Sequence, residues 1–198
     1  MDPIPDIVQR IAALAADRQT LLVAIDGCGG SGKSAFAAEL ARALGAASLR
    51  AEVVAFDEFF LPSELRPGGS PGERPIGGDF DWRRLRDQVL QPLRSGLAAR
   101  YARYDWARDA LLAERDIGPG AVVLVEGVYT SRRELAPLYH LRIWVDCPRE
   151  VRLRRGLERD GEDGRARWEL DWMPCEDHYV EEHRPHETAD IVVRGGGG

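Results

Sequence analysis

The sequence predicts an α/β protein: an open, parallel, five-stranded sheet with helices on both of its faces. Two observations carry this expectation. Short, continuous apolar runs recur at 21–25, 52–56, 121–125, 141–145 and 189–193, as strands buried on both faces require. Helical patterns separate these runs, and strands alternating with helices assemble as parallel sheets through crossover connections. With 198 residues, the chain is long enough for one such domain and scarcely for two.

The elements follow in order. Ile7, Ile11 and Leu14 fall at i, i+4 and i+7, the spacing of an amphipathic opening helix. Further helices are expected at about 33–44, 82–95, 131–139, 148–160 and 165–184. One stretch breaks the alternation. Between Pro62 and Gly78 the chain carries four prolines and five glycines, so a lid or insert loop is expected at about 61–79. The reading is one domain over 1–194, with a second, Arg-rich lid at about 149–167 and a frayed glycine tail at 195–198. There is no internal repeat.

Composition removes several classes of function. Apolar residues at 44% and charged residues at 30% describe a globular chain rather than a disordered or fibrous one. A net charge of −6 disfavours a broadly basic nucleic-acid or membrane surface. Cys28, Cys147 and Cys175 are odd in number and widely spaced, which argues against a disulfide framework or zinc site and for a reducing compartment. No secretory leader or membrane span is legible. The expectation is a soluble cytoplasmic protein without nucleic-acid or membrane partners; a homo-oligomer stays open.

The segment Gly27-Cys28-Gly29-Gly30-Ser31-Gly32-Lys33-Ser34 satisfies GxxxxGK[ST]. It directly follows the first predicted strand and opens a helix, which is the context that gives the motif its meaning. Glycines let backbone N–H groups turn inward around phosphates, the helix N-terminus adds positive potential, and Lys33 reaches the terminal phosphates. The Ser34 hydroxyl is placed to ligate Mg²⁺. Of 27 basic residues, 26 are arginines and Lys33 is the only lysine. A planar guanidinium cannot replace the compact ammonium such a loop needs. A nucleoside triphosphate, ATP or GTP, is therefore the expected ligand of the cradle, which extends through Ala35.

Ligands of open parallel sheets sit beyond the carboxyl ends of the strands. Asp57 and Glu126 end predicted strands there, as does Asp26, which lies just before the cradle and would support its turn. An alcohol kinase needs a carboxylate near the acceptor hydroxyl and an acid near Mg²⁺. Asp57 and Glu126 are the natural pair. Arg149, Arg152, Arg154, Arg155, Arg159, Arg165 and Arg167 crowd one later region. Two or three of them would face phosphate, and the others would pair with acids on a solvated helix face. Asp79-Phe80-Asp81-Trp82 and Tyr101-Ala102-Arg103-Tyr104-Asp105-Trp106 set aromatic rings beside carboxylates. Such a segment suits a sugar-plus-base acceptor, with core packing and helix capping as the plainer alternatives.

Taken together, the cradle, Phe56-Asp57-Glu58-Phe59-Phe60, Phe80-Asp81, Tyr104-Asp105-Trp106, Val125-Glu126-Gly127 and Arg155…Arg159-Asp160 resemble the uridine kinase family over about residues 20–193. That resemblance implies a parallel five-stranded P-loop NTPase core with a mobile lid, ATP or GTP with Mg²⁺, and phosphorylation of a nucleoside 5′-hydroxyl. It gives Asp57 as catalytic base, Glu126 as the Mg²⁺-associated acid, Tyr104 and Trp106 as aromatics around the base, and Arg155 and Arg159 as lid residues near phosphate. Phe59, Asp79, Asp81 and Asp109 complete the expected acceptor site. Two departures bear on that site: Asp109 stands where the family carries a base-reading histidine, and the family's Asp-His-Pro context around its ribose-binding aspartate is absent. A small-molecule kinase acting on uridine or cytidine is expected. The alternatives are a kinase of a vitamin precursor, sugar or specialised metabolite, and an ATP-binding regulatory switch.

Overall fold

The computed structural model describes residues 3–195. Its main sheet contains β1 (Leu21–Asp26), β2 (Ala51–Ala55), β5 (Val122–Glu126), β6 (Leu141–Asp146) and β7 (Ile191–Arg194), ordered β2-β5-β1-β6-β7. Every pairing in it is parallel, with Leu21 opposite Val122 and Val23 opposite Leu141. The five expected strands are therefore all present. A separate antiparallel hairpin, β3 (Ala99–Asp105) and β4 (Ala110–Ile117), was not foreseen.

Alternation along β1 divides the core in two. Leu21, Val23 and Ile25 face Ile7 and Ile11 of α1 (Ile4–Ala15) and Ala37, Leu40 and Leu44 of α2 (Lys33–Ala46). Leu22 and Ala24 face the opposite side, where Val54, Phe56, Val123, Val125 and Trp144 meet Leu85, Val89, Leu90 and Leu93. Those three leucines and one valine lie on α3, formed by Trp82–Leu85, a π-helical turn at Arg86–Leu90, and Gln91–Arg94. Each such side chain, fully buried, contributes about 1.5–3 kcal/mol relative to exposure. Helices thus cover both faces.

After β6 come α4 (Arg149–Asp160) and a longer helix, α5. The latter runs through Arg165–Arg167, a π-helical turn at Trp168–Trp172, and Met173–His183. A short α6 (Pro185–Thr188) leads into β7. The helix expected at 131–139 is not formed. That stretch turns instead through a single 3₁₀ turn, Ala136–Leu138, because Pro137 lacks an N–H and disfavours helical geometry at the residue before it. The Pro/Gly-rich stretch is irregular apart from a 3₁₀ turn at Ser63–Leu65, and its ends are pinched together by Leu61 N–H donating to the Asp79 carbonyl (2.8 Å). Of the predicted tail, Gly195 donates its N–H to the Asp146 carbonyl (2.6 Å); 196–198 lie outside the described residues. Among the described residues no helix is long and apolar enough to cross a membrane.

The chain runs from central β1 out to β2 on one side and later returns to β6 on the other. Such a reversal of strand order opens a crevice at the carboxyl end of β1. The cradle follows β1, Asp57 follows β2 and Glu126 ends β5, all at that end of the sheet.

Candidate active site

The cradle links β1 to α2. Gly30 takes a left-handed φ of +75°, which a glycine adopts without strain, and a side chain there would strike the Arg152 carbonyl. Ser31 is buried, and its Oγ has no hydrogen-bond partner. An orphaned hydroxyl inside a glycine-rich loop, at the head of a 14-residue helix, fits an incoming phosphate. Asp26 supports the turn as expected. Its carboxylate accepts from Gly27 N–H (2.7 Å), Ser131 N–H (2.7 Å) and Tyr179 O–H (2.6 Å).

Lys33 lies among carboxylates. Burial pushes the carboxyls of Asp26, Glu126 and Glu176 up from the ordinary range, and in each case the Lys33 ammonium opposes that rise. Ser34 donates its hydroxyl to Glu126 (3.0 Å). A hydroxyl and a carboxylate are the hard oxygen donors that suit Mg²⁺. No group of three His, Cys, Asp or Glu side chains able to hold a metal occurs among the described residues.

Asp57 stands exposed on the 3₁₀ turn Phe56–Phe59 that follows β2. Its charge raises the Glu126 carboxyl and is felt by Arg159. The structure thus brings Asp57, Glu126, Ser34 and Lys33 to one crevice. Arg155 Nη1 reaches the Gly30 carbonyl at 3.5 Å. Arg159 is held bidentately by Asp160 (2.7 and 2.9 Å). Arg154 and Arg165 pair with neighbouring acids on the surface, as a solvated face would.

The acceptor residues separate more widely. Phe59 was expected to touch substrate, but it is fully buried and stacks on Tyr101 (4.9 Å); it belongs to the core. Asp81 caps α3 by accepting from Arg84 N–H (3.0 Å), so capping accounts for it. Asp109 accepts from Ser63 N–H (2.9 Å), the Ser63 hydroxyl, Arg66 (3.0 Å) and Tyr104 O–H (2.5 Å). These hydrogen bonds anchor the hairpin turn to the loop. Asp79 is paired with Arg74 (3.6 Å) and half-buried, and burial pushes its carboxyl up. Trp106 is 60% exposed and packs on Phe60 (4.6 Å), with Tyr104 edge-on to it (5.0 Å).

Sequence reasoning missed Glu176. Its carboxylate, on α5, accepts from Gly29 N–H (2.9 Å) and pairs with Arg152 (2.9 Å), both side chains being 7% exposed. Tyr179 sits one helical turn on and reaches Asp26. Their i, i+3 spacing was the available signal, but nothing local tells that this face meets the cradle.

Sheet order and cradle define the class: a P-loop nucleotide-binding fold. The description "Phosphoribulokinase / Uridine kinase family" belongs to the family model that matches residues 78–188. A uridine kinase of Mycoplasma genitalium is 28% identical over 189 residues, covering 89% of this chain and 86% of its own. Among solved structures, a candidate uridine kinase from Bacillus stearothermophilus superposes with a TM-score of 0.77 at 22% identity, covering 96% of this chain and 97% of its own. A protein described as a candidate fructose transport system kinase, from Silicibacter, gives 0.75 at 26% identity over 98% and 99%. The chain belongs to the phosphoribulokinase/uridine kinase family and is a P-loop kinase.

Proposed function

We propose that this protein transfers the γ-phosphoryl group of ATP (or GTP) to a primary hydroxyl of a small polar acceptor, with uridine or cytidine first among the candidates. The observation that carries the reading is the convergence of Asp57, the Ser34–Glu126 pair and Lys33 on the cradle. The single domain of 1–194 would close over its ligands with the segments at about 61–79 and 149–167.

Backbone N–H groups of residues 27–35 and the Lys33 ammonium hold the phosphates. Ser34 and Glu126 hold Mg²⁺, which when bound supplies charge neutralisation to the phosphates. Asp57 accepts the acceptor's hydroxyl proton as the new O–P bond forms and the bond to the β-phosphate oxygen breaks. Arg155 and Arg159 offset charge on the transferring group. Asp79, Tyr104 and Trp106 are left to meet the acceptor.

A second reading, a non-nucleoside acceptor, is favoured by one observation. Asp109 spends its carboxylate on Ser63, Arg66 and Tyr104, so the position expected to read a base is occupied with the protein's own groups. The resemblance to a candidate fructose transport system kinase points the same way.

The test is ADP release with Mg·ATP across nucleosides, sugars and vitamin precursors, against an acceptor-free blank. Stimulation by uridine or cytidine with appearance of a 5′-monophosphate supports the first reading. Stimulation by a non-nucleoside alone supports the second. No stimulation at intact ATP affinity rejects both in favour of a switch.

A further inference from the structure

Tyr129 has no part in the chemistry above, yet it holds a costly conformation at the centre of the site. Its φ is +71°, a left-handed geometry that a bulky L-residue keeps only where its surroundings enforce it. The enforcement is visible. Thr130 Oγ1 donates to the Gly127 carbonyl (3.0 Å), Ser131 N–H to Asp26 (2.7 Å) and Arg132 N–H to the Tyr129 carbonyl (3.1 Å). Arg132 Nη1 also ties the turn to the Ile76 carbonyl (3.2 Å).

The ring lies between Phe80 (5.7 Å) and Tyr179 (4.9 Å) and covers Gly77, where a Cβ would come within 3.0 Å of Tyr129 Cγ. The residue is 6% exposed, and its hydroxyl makes no hydrogen bond to any described residue. Tyr101, Tyr104 and Tyr179 each donate to a carboxylate. Tyr139 also lacks a partner, but its hydroxyl is enclosed in the core behind Asp26. The charged and polar groups felt by the Tyr129 phenol are Glu176, Cys175, Cys28 and Asp79. Phe80 belongs to the acceptor segment and Tyr179 to α5 behind the cradle, so the ring packed between them stands at the seam of donor and acceptor sites. Burial first, then the Glu176 carboxylate, pushes the phenol well above the ordinary tyrosine range, leaving it protonated and able to donate. On the same seam Arg74, beside Asp79, keeps its Nε buried and unpartnered.

We propose that Tyr129 is a specificity-determining residue for the acceptor, its O–H donating to an oxygen other than the one that is phosphorylated. The inference rests on the kinase reading above and narrows its substrate class to acceptors with a further oxygen near the reacting carbon. A site built to donate a hydrogen bond to one oxygen penalises an analogue that lacks it.

The experiment uses the full chain and the best acceptor of the panel. Tyr129→Phe keeps the ring over Gly77 and removes only the hydroxyl. Its kcat/KM for the acceptor should fall roughly 10- to 100-fold, mainly through KM, with ADP affinity by calorimetry unchanged. Analogues lacking single oxygens (for a nucleoside, 2′-deoxy- and 3′-deoxyuridine) should include one that wild type disfavours at least tenfold. Y129F should not discriminate against that analogue. A wild type indifferent to every deletion overturns the proposal without needing the variant. So does Y129F with an unchanged acceptor KM, or with ADP affinity reduced as much as acceptor affinity. If wild type phosphorylates nothing in the panel, the kinase reading itself falls and takes this one with it.

Discussion

Asp57 leaves the end of β2 exposed, close enough to Glu126 and Arg159 for each to register its charge. An amide there keeps size and polarity but cannot take a proton. Asp57→Asn should lower turnover by roughly 10²-fold or more while ADP affinity stays unchanged; near-normal kcat in stopped assays would remove Asp57 from proton transfer. Glu134 offers a stability test. Arg132 grips its carboxylate bidentately (2.9 and 3.0 Å), and those hydrogen bonds lower its pKa from 4.5 to about 2. A depressed folded-state pKa means that the charged pair stabilises the fold above the ordinary glutamate range, and that this contribution is lost as pH falls toward about 2. Since Glu134 is 40% exposed, solvent screening keeps the effect small. Glu134→Gln should shift the urea midpoint down at pH 7, and the gap from wild type should close as pH drops below about 4.5. A gap independent of pH would contradict the ion pair's role. At this scale the meeting of the cradle, Ser34, Glu126 and Asp57 at one crevice was legible because each follows or ends a strand of the sheet. Phe59 was misread because facing inward is decided by distant chain, and the meeting of Asp109 with Ser63 was illegible for the same reason. Glu176 was invisible for the same reason, lying 147 positions from Gly29.

Among the elements, the five core strands read cleanly because burial on both faces writes continuous apolar runs. The hairpin β3–β4 did not. Its outward side chains are long and charged, as in Arg100, Arg103 and Glu114, and its turn uses Asp105 accepting from Ala107 and Arg108 N–H (both 2.9 Å) in place of a glycine pair. The helix mispredicted over 131–139 shows the converse: its apolar residues are there, but Pro137 disfavours the helical backbone. The contact between α4 and α5 yields an expectation opposite to propensity. Glycine within a helix normally costs about 1 kcal/mol against alanine, so Gly156→Ala would ordinarily stabilise. Here an added Cβ would run into the Trp168 indole, itself buried and tethered by Nε1–H to Asp160 (2.9 Å). Overpacking of this kind costs roughly 1–3 kcal/mol. Gly156→Ala should therefore lower Tm by several degrees in calorimetry, and a raised Tm would mean that the indole has room to move.

Across the whole molecule, the loop that the sequence marked as a lid at about 61–79 meets α5 beyond the end of the second expected lid at 149–167. Arg74, from the Pro/Gly-rich loop, engages Asp171 and Cys175 (Nη2–Sγ 3.0 Å) on α5, and Asp79 lies 3.6 Å from its guanidinium. The loop carries little apolar burial of its own: from Ser63 to Gly72 it is exposed or half-buried throughout. Its position against α5 therefore depends heavily on a polar contact. Charge-assisted hydrogen bonds of this sort contribute about 1.5–3 kcal/mol each, and here that energy holds a loop rather than the core. Arg74→Ala should leave global unfolding close to wild type, because β1, β5 and β6 do not touch it. Backbone amides in 62–78 should exchange roughly tenfold faster or more, and proteolytic nicking should concentrate there. ADP affinity should persist, since the cradle's contacts to Glu176 and Asp26 are intact. Acceptor KM should rise, because the loop that carries Asp79 would no longer be fixed against α5. Unchanged exchange in the loop would mean that the pinch between Leu61 and Asp79 and the stacking of Phe80 on Phe56 (4.9 Å) suffice to hold it.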